Sequence, residues 1–274
     1  MEGGALLPRT FVGSEDGLLR VLQWNVLADQ LADNFPRVDR ALLQWEGRFA
    51  LMKAELTRAN ADLLCLEEVD HYADFESFLL PLGYSGVYRQ KEGWHNDGTA
   101  IFLRTSKLTL ETQHSAVFSG GKRQVYVSLL LRERQTSRQF VVIATHLKSG
   151  TRFESHREVE VQQVLHHLEA YSGLPVVLAG DFNSEPDYAV YRLLQAASFS
   201  SAYWNTSSPG QEPAFTTLKY RQSLEKYTID YIWLRQFRSC KYLSLPSESE
   251  LSSDGLPSAQ YPSDHLALVC DVQL

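Results

Sequence analysis

The sequence predicts an α/β (α+β) protein built as a four-layer α/β sandwich, two mixed β-sheets packed together and flanked by helices. Three observations lead there. Apolar runs of strand length, rich in β-branched and aromatic residues, recur along the chain. Several follow one another with no helical stretch between them, as from Gly98 to His146, which fits a purely parallel doubly wound sheet poorly. Two long segments instead carry apolar residues at helical spacing and suit the outside of a sheet pair.

Taken in order, residues 1–17 read as a flexible N-terminal segment and residues 18–274 as a single domain, since no linker divides them. LLRVLQW is the first long strand. Ala41 to Ala59 follows as a helix, with Leu42, Trp45, Phe49, Met52 and Leu56 on one stripe. DLLCLEEV is a strand, Asp74 to Leu80 a short helix, and GTAIFLR, QVYVSLLLR and RQFVVIATHL are strands again. Glu154 to Tyr171 is helical through Val161, Val164, Leu165 and Leu168, with His166 and His167 on its solvated face. PVVLAGDF, a short helix from Asp187 to Ala197, YTIDYIWL and HLALVCDVQL complete the pattern. The Ser-, Pro- and Gly-rich segments 200–214 and 246–263 read as surface loops.

A hydrophobic fraction of 44% with 22% charged residues is ordinary for a soluble globule. With 26 Lys and Arg against 33 Asp and Glu the formal charge is −7. That disfavours non-specific grip on long nucleic-acid backbones, which draws its affinity from counterion release by many cations. The three cysteines, Cys65, Cys240 and Cys270, sit among apolar residues without metal-ligand spacing and read as buried thiols in a reducing compartment. MEGGALLPRTFVGSEDG shows neither a basic leader nor an apolar signal stretch, and no run reaches the ~18 apolar residues a membrane helix needs. The expectation is a monomeric, intracellular, cytoplasmic protein with no membrane insertion.

The chemistry gathers at strand ends, where sheets hold side chains rigidly and loops leave room for a substrate. Asn25 closes the first strand, Glu67 and Glu68 the second, Thr145 and His146 a later one; Asp97 opens GTAIFLR; Asp181 and Asn183 follow VVLAG; Asp230 lies in YTIDYIW; Asp264 and His265 precede LALVCDV. Singly, each has an ordinary explanation. GDFN can be a turn, Glu68 a solvated strand end, and His146 a core histidine.

As an ordered set, Asn25, LEEVD, DG, THLK, GDFNSEP, TIDYIW and YPSDH are hard to obtain by chance. Over nearly its full length the chain resembles the endonuclease/exonuclease/phosphatase superfamily. QWNVLA, LEEVDHY, THLK, GDFNSEP, DYIW and YPSDHLALVCD look most like the branch that holds nocturnin and the deadenylases of the carbon-catabolite-repression type. The resemblance implies a Mg²⁺-dependent phosphohydrolase, with Mn²⁺ as a substitute ion. Glu68 would be the main metal ligand, aided by Asn25 and Asp264; a hard cation with retained waters suits so sparse an oxygen set. Asp181 would take a proton from the attacking water, with Asn183 orienting water or phosphate. His265 would donate to a phosphate oxygen with Asp230 as its orienting carboxylate, and His146 and Lys148 would add donors. Lys91, Arg123 and Arg152 complete the expected substrate contacts.

Three departures from the family pattern stand out. Glu67 replaces the usual Gln before the metal ligand; neighbours on a strand face opposite ways, so it need not reach the metal. Gly150 stands where the nocturnin type carries an arginine, with Arg152 as a substitute cation. Lys122 and Arg123 precede Gln124 where an Asn is usual. The substrate expected is an adenine-containing nucleotide: the 2′-phosphate of NADP(H), or alternatively the 3′ end of poly(A). A catalytically dead protein-binding module is the reading from another class, and the presence of Glu68, Asp181, Asn183 and His265 argues against it.

Overall fold

The computed structural model describes residues 6–13, 19–93, 96–120, 123–204, 206 and 210–273. In chain order the strands are β1 (Phe11–Val12), β2 (Leu19–Asn25), β3 (Leu63–Val69), β4 (Tyr84–Gln90), β5 (Gly98–Arg104), β6 (Leu108–Val117), β7 (Val125–Glu133), β8 (Gln139–His146), β9 (Val176–Asp181), β10 (Ser200–Ser201), β11 (Thr217–Tyr220), β12 (Leu224–Tyr227), β13 (Asp230–Arg235), β14 (Arg238–Leu243) and β15 (Leu268–Gln273). The helices are α1 (Trp45–Ala59), α2 (Tyr72–Leu79), α3 (Glu154–His167) and α4 (Ala189–Ala196). One sheet has seven strands in the order β1-β14-β15-β2-β3-β5-β4; the other has six in the order β10-β13-β9-β8-β7-β6. Both mix parallel and antiparallel neighbours, with β2–β3 and β8–β9 parallel.

Alternation along β2 shows how the layers arise. Leu19 and Val21 point between the sheets and meet Val142, Ala144, Val177 and Ala179, whereas Leu22 and Trp24 point outward to Met52 and Leu56 of α1 and Phe75 of α2. The second sheet repeats this, with Val141, Ile143, Val176 and Leu178 outward against Val161 and Val164 of α3 and Tyr191 and Leu194 of α4. Central strands are thus covered on both faces, which is why they read as nearly unbroken apolar runs.

The expected helices begin and end within a few residues of the observed ones; short 3₁₀ turns, Arg40–Leu43 and Leu168–Tyr171, take up the remainder of the two long ones. Segments 200–214 and 246–263 match the surface-loop expectation in part: 210–211 and 247–250 are exposed and 205 and 207–209 lie outside the described residues, but each segment also sends a tyrosine into the core. Tyr203 and Tyr261 are fully buried, and their hydroxyls meet the backbone of Leu243, Val269 and Ala267. Of residues 1–17, 1–5 and 14–17 lie outside the described residues; Leu7 and Arg9 are buried, Arg9 pairs with Glu55, and Phe11–Val12 adds to β14 as an edge strand. Cys65 and Cys270 are buried, Cys240 is half-buried, and none of the three is in a disulfide among the described residues. No helix among the described residues is long and apolar enough to cross a membrane.

The β11–β12 hairpin belongs to neither large sheet. It is tied to the loop before β15 by a bridge between Thr217 and His265 and by Leu218 N donating to Asp264 O at 3.1 Å.

Candidate functional site

Strand register assembles the centre of the site. On β9, Asp181 is the ladder partner of His146 on parallel β8 and of Asp230 on antiparallel β13, so the three side chains emerge together. His146 Nε2 lies 3.6 Å from Asp181 Oδ2. The preceding residue has to be glycine, because a Cβ on Gly180 would stand 1.8 Å from the Thr145 carbonyl oxygen. Beyond the strand, Asn183 takes a left-handed φ of 49°; its backbone N donates to Asp181 Oδ1 at 2.9 Å and its Nδ2 to Leu147 O at 3.1 Å.

The other sheet supplies Asn25 and Glu68. The β3–β5 register slips between Leu66 and Val69, and within that irregularity Glu68 takes φ 56°. The slip turns Glu68 into the cleft while Glu67 stays fully buried. Glu68 Oε1 accepts from Asn25 Nδ2 at 3.0 Å and Oε2 from Ala28 N at 3.0 Å. The same Asn25 Nδ2 donates to Asp181 Oδ2 at 3.1 Å, and Leu27 N, in a residue with φ 63°, donates to Asn25 Oδ1 at 3.0 Å. Left-handed backbone at Leu27, Glu68 and Asn183, all lining one cleft, is the strain expected where function rather than stability fixes the chain.

His265 Nδ1 lies 3.0 Å from Asp230 Oδ2, and the other oxygen of that carboxylate is 3.1 Å away. Thr216 Oγ1 donates to Asp230 Oδ2 at 2.7 Å and Gln23 Nε2 to Oδ1 at 3.2 Å, so the carboxylate cannot turn. Burial alone would lower the His265 pKa, but Asp230 and then Asp264 outweigh it and push the imidazole up to about 10. His265 is therefore a cation at neutral pH, with Nε2 3.8 Å from Asp181 and 3.7 Å from Asp264. Burial and Asp230 raise Asp181 to about 7, in the range of a proton acceptor at neutral pH. His146 is held well below its ordinary value, first by burial and then by Lys91, so it is neutral.

These groups line a cleft of about 820 Å³. Lys91, paired with Asp97, and Lys148 face it, as do Leu27, Leu31, Phe35, Tyr188, Tyr227 and Ile229. Two expected contacts are not brought there. Arg152 is exposed and outside the cleft lining; within the 3₁₀ turn Thr151–Phe153 it lies over the Phe153 ring, 4.9 Å from its centroid, a ring that Lys148 Nζ also approaches at 5.1 Å. Arg123, at φ 65°, is exposed with its guanidinium against Gly93, outside the cleft lining; Lys122 lies outside the described residues.

The chain matches the model of the endonuclease/exonuclease/phosphatase family over residues 22–265. It is 37% identical to nocturnin of Homo sapiens, covering 96% of this chain and 67% of that protein. The chain belongs to the endonuclease/exonuclease/phosphatase family. The solved structure of the human nocturnin catalytic domain with bound sulfate anion aligns over 96% of both chains with a TM-score of 0.81 and 33% identity. The 2′,5′-phosphodiesterase 12 of Bos taurus is 29% identical over 95% of this chain, which spans about half (52%) of that relative. This member of the family is a nocturnin-like hydrolase of phosphate esters.

The family's need for a divalent cation can be tested against the residues present. Glu68 is a hard oxygen donor at the cleft and keeps lone pairs to spare beside its contacts to Asn25 and Ala28, whereas Asn25 is fully buried, turns Nδ2 toward Glu68 and Asp181, and has its Oδ1 taken by Leu27 N. Asp264 is less available: Lys219 Nζ donates to its Oδ2 at 2.9 Å, and that ammonium outweighs burial to hold its pKa below the ordinary value. Asp181, Asp230 and His265 also offer ligand atoms within 4.8 Å of one another. A protonated imidazole clasped by its own carboxylate is not a ligand, however, so that trio is better suited to handling protons.

Sequence reasoning missed Lys219 and Arg221, which the β11–β12 hairpin delivers to the cleft from FTTLKYRQS. It also missed Arg48, which is fully buried on α1 and donates to Leu43 O, Leu27 O and Pro262 O at 3.2, 2.9 and 3.3 Å, pinning the loops that carry Asn25 and Asp264. The available signal was position: Arg48 falls four residues before Met52, on the stripe that α1 buries.

Glu67, the residue in place of Gln, lies behind the site. Gln23 Nε2 donates to its Oε2 at 2.9 Å, and burial pushes its carboxyl well above the usual range. Glu67→Gln is expected to change turnover by roughly a few-fold at most, since the residue is fully buried outside the cleft lining and a carboxyl and a carboxamide have nearly the same shape. Steady-state rates with Mg²⁺ and with Mn²⁺ check this; a large loss with altered ion preference would put Glu67 on the metal.

Proposed function

We propose that the protein is a Mg²⁺-dependent phosphohydrolase of an adenine-containing nucleotide, removing the 2′-phosphate of NADP(H). The observation that carries this is a single nucleotide-sized cleft in which Lys91, Lys148, Lys219 and Arg221 meet both the Asp181–His265 centre and the apolar surface of Leu31, Phe35, Tyr188 and Ile229. The formal charge of −7 leaves these cations local and suits a small anionic substrate better than a long polyanion.

Glu68, oriented by Asn25, would hold the cation, which when bound neutralises charge on the phosphoryl oxygens. Asp181, with a pKa of about 7, takes the proton of the attacking water. The His265 imidazolium, fixed by Asp230, donates from Nε2 to a phosphoryl oxygen as charge builds there. Lys148 and Lys219 hold the phosphate in place for in-line attack.

Hydrolysis of the poly(A) 3′ end is the second reading. Gly150 favours it, because the place of the nocturnin-type arginine carries no side chain. Purified protein with Mg²⁺ is to be offered NADP⁺, NADPH, a poly(A) oligomer and a non-adenylate RNA side by side. Phosphate released from NADP(H) alone is the expected result. AMP released from poly(A) alone would replace it with deadenylation, and inactivity on all four would sink both.

A further inference from the structure

We infer that Arg157 is a positioning residue, which fixes Lys148 and the Gly150 rim of the cleft against the substrate's phosphate. The inference rests on the role proposed for the cleft.

Arg157 lies in the first turn of α3, where a long cationic side chain would ordinarily reach for solvent. It is instead only 2% exposed. Its Nη1 donates to Lys148 O and to Gly150 O, both at 2.8 Å, while Nε and Nη2 donate to Glu154 Oε2 at 3.0 and 2.8 Å. Three residues further along, Glu160 Oε2 accepts Lys148 N at 2.9 Å. Two side chains of one helix face thus hold Lys148 by both its N–H and its carbonyl. Glu154 extends the hold to the other loop: it accepts Ser184 Oγ at 2.9 Å and Val190 N at 3.1 Å, just beyond Asn183.

The geometry demands a guanidinium. Two carbonyls and a carboxylate are met in the fixed fork of its plane, and a lysine ammonium is one point charge that cannot meet them all. The chain conformation it supports is itself uncommon, with Gly150 at φ 101° and its carbonyl turned in toward the helix. Without that hold the loop would keep Lys148 but not its placement.

The test is a double-mutant cycle of Arg157→Lys and Lys148→Ala in the full chain, read three ways. Melting temperature reports folding. KM and kcat are measured on whichever nucleotide the wild type hydrolyses, and affinity for inorganic phosphate is measured by calorimetry. Arg157→Lys is expected to raise KM and weaken phosphate binding about tenfold, with a smaller change in kcat, and to add little once Lys148 is gone. Additive losses, or unchanged KM and phosphate affinity beside a lowered melting temperature, would overturn the proposal and leave Arg157 a purely structural residue. Should Arg157→Lys fail to fold, Glu154→Gln, which loosens the seat of Arg157, is expected to give a smaller rise in KM that also vanishes with Lys148→Ala; its absence overturns the proposal equally. A wild type inactive on every nucleotide would sink the proposed function alone, because the phosphate affinities still decide the role of Arg157.

Discussion

Glu68→Ala is expected to lower turnover at least about 100-fold in a protein that still folds, because the charge stabilisation supplied by the cation amounts to several kcal/mol and each factor of ten in rate is about 1.4 kcal/mol. The carboxylate is half-exposed at the cleft and accepts one hydrogen bond on each oxygen, from Asn25 and from Ala28 N. Alanine at the same left-handed φ keeps most of the backbone strain, so stability should change little. Rates are to be followed across a Mg²⁺ titration beside thermal melts with and without the ion. Mg²⁺ should raise the melting temperature of the wild type and not of the variant, since a ligand that binds only the native state stabilises it by mass action. Near-normal turnover, or equal stabilisation by Mg²⁺, would remove Glu68 from the metal.

The parts of the molecule legible in the sequence are those whose geometry is set by strand period and strand ends. Leu19 and Val21 against Leu22 and Trp24 declare two buried faces, and polar residues at the ends of LLRVLQWN, LLCLEEV, VVLAGD and before LALVCDV had to gather once two sheets were stacked. What stayed hidden depends on direction. Nothing in LEEV announces the register slip that separates Glu67 from Glu68. Arg152 is only four residues from Lys148, yet a single 3₁₀ turn points it at Phe153 instead of the cleft. Lys219 and Arg221 reach the cleft through a hairpin that is held to the loop before β15, a contact of long sequence separation that local pattern does not encode. Arg48 and Arg157 occupy the buried stripes of α1 and α3, where an arginine passes for a solvated helix residue until the loop carbonyls above it are seen.

Asp230→Asn and His265→Ala are each expected to cost a large part of the activity, with the double variant scarcely worse than the worse single. Both oxygens of Asp230 lie within 3.1 Å of His265 Nδ1, and Thr216 and Gln23 fix the carboxylate from behind. Its work is to keep the imidazole charged and aimed, and that work is lost in either single variant. Groups acting as one unit give strongly non-additive losses in a cycle of this kind. The alternative assigns Asp230 to the metal, as the 4.8 Å grouping with Asp181 and His265 permits. The two differ in metal affinity. An orienting carboxylate buried behind the histidine should leave the apparent Mg²⁺ affinity of Asp230→Asn close to wild type, because Glu68 and Asn25 are untouched. A metal ligand cannot be replaced by a neutral amide without weakening that affinity markedly, since the cation loses a charged donor. Additive activity losses across the cycle, or a collapse of Mg²⁺ affinity in Asp230→Asn, would separate Asp230 from His265 and place it on the ion.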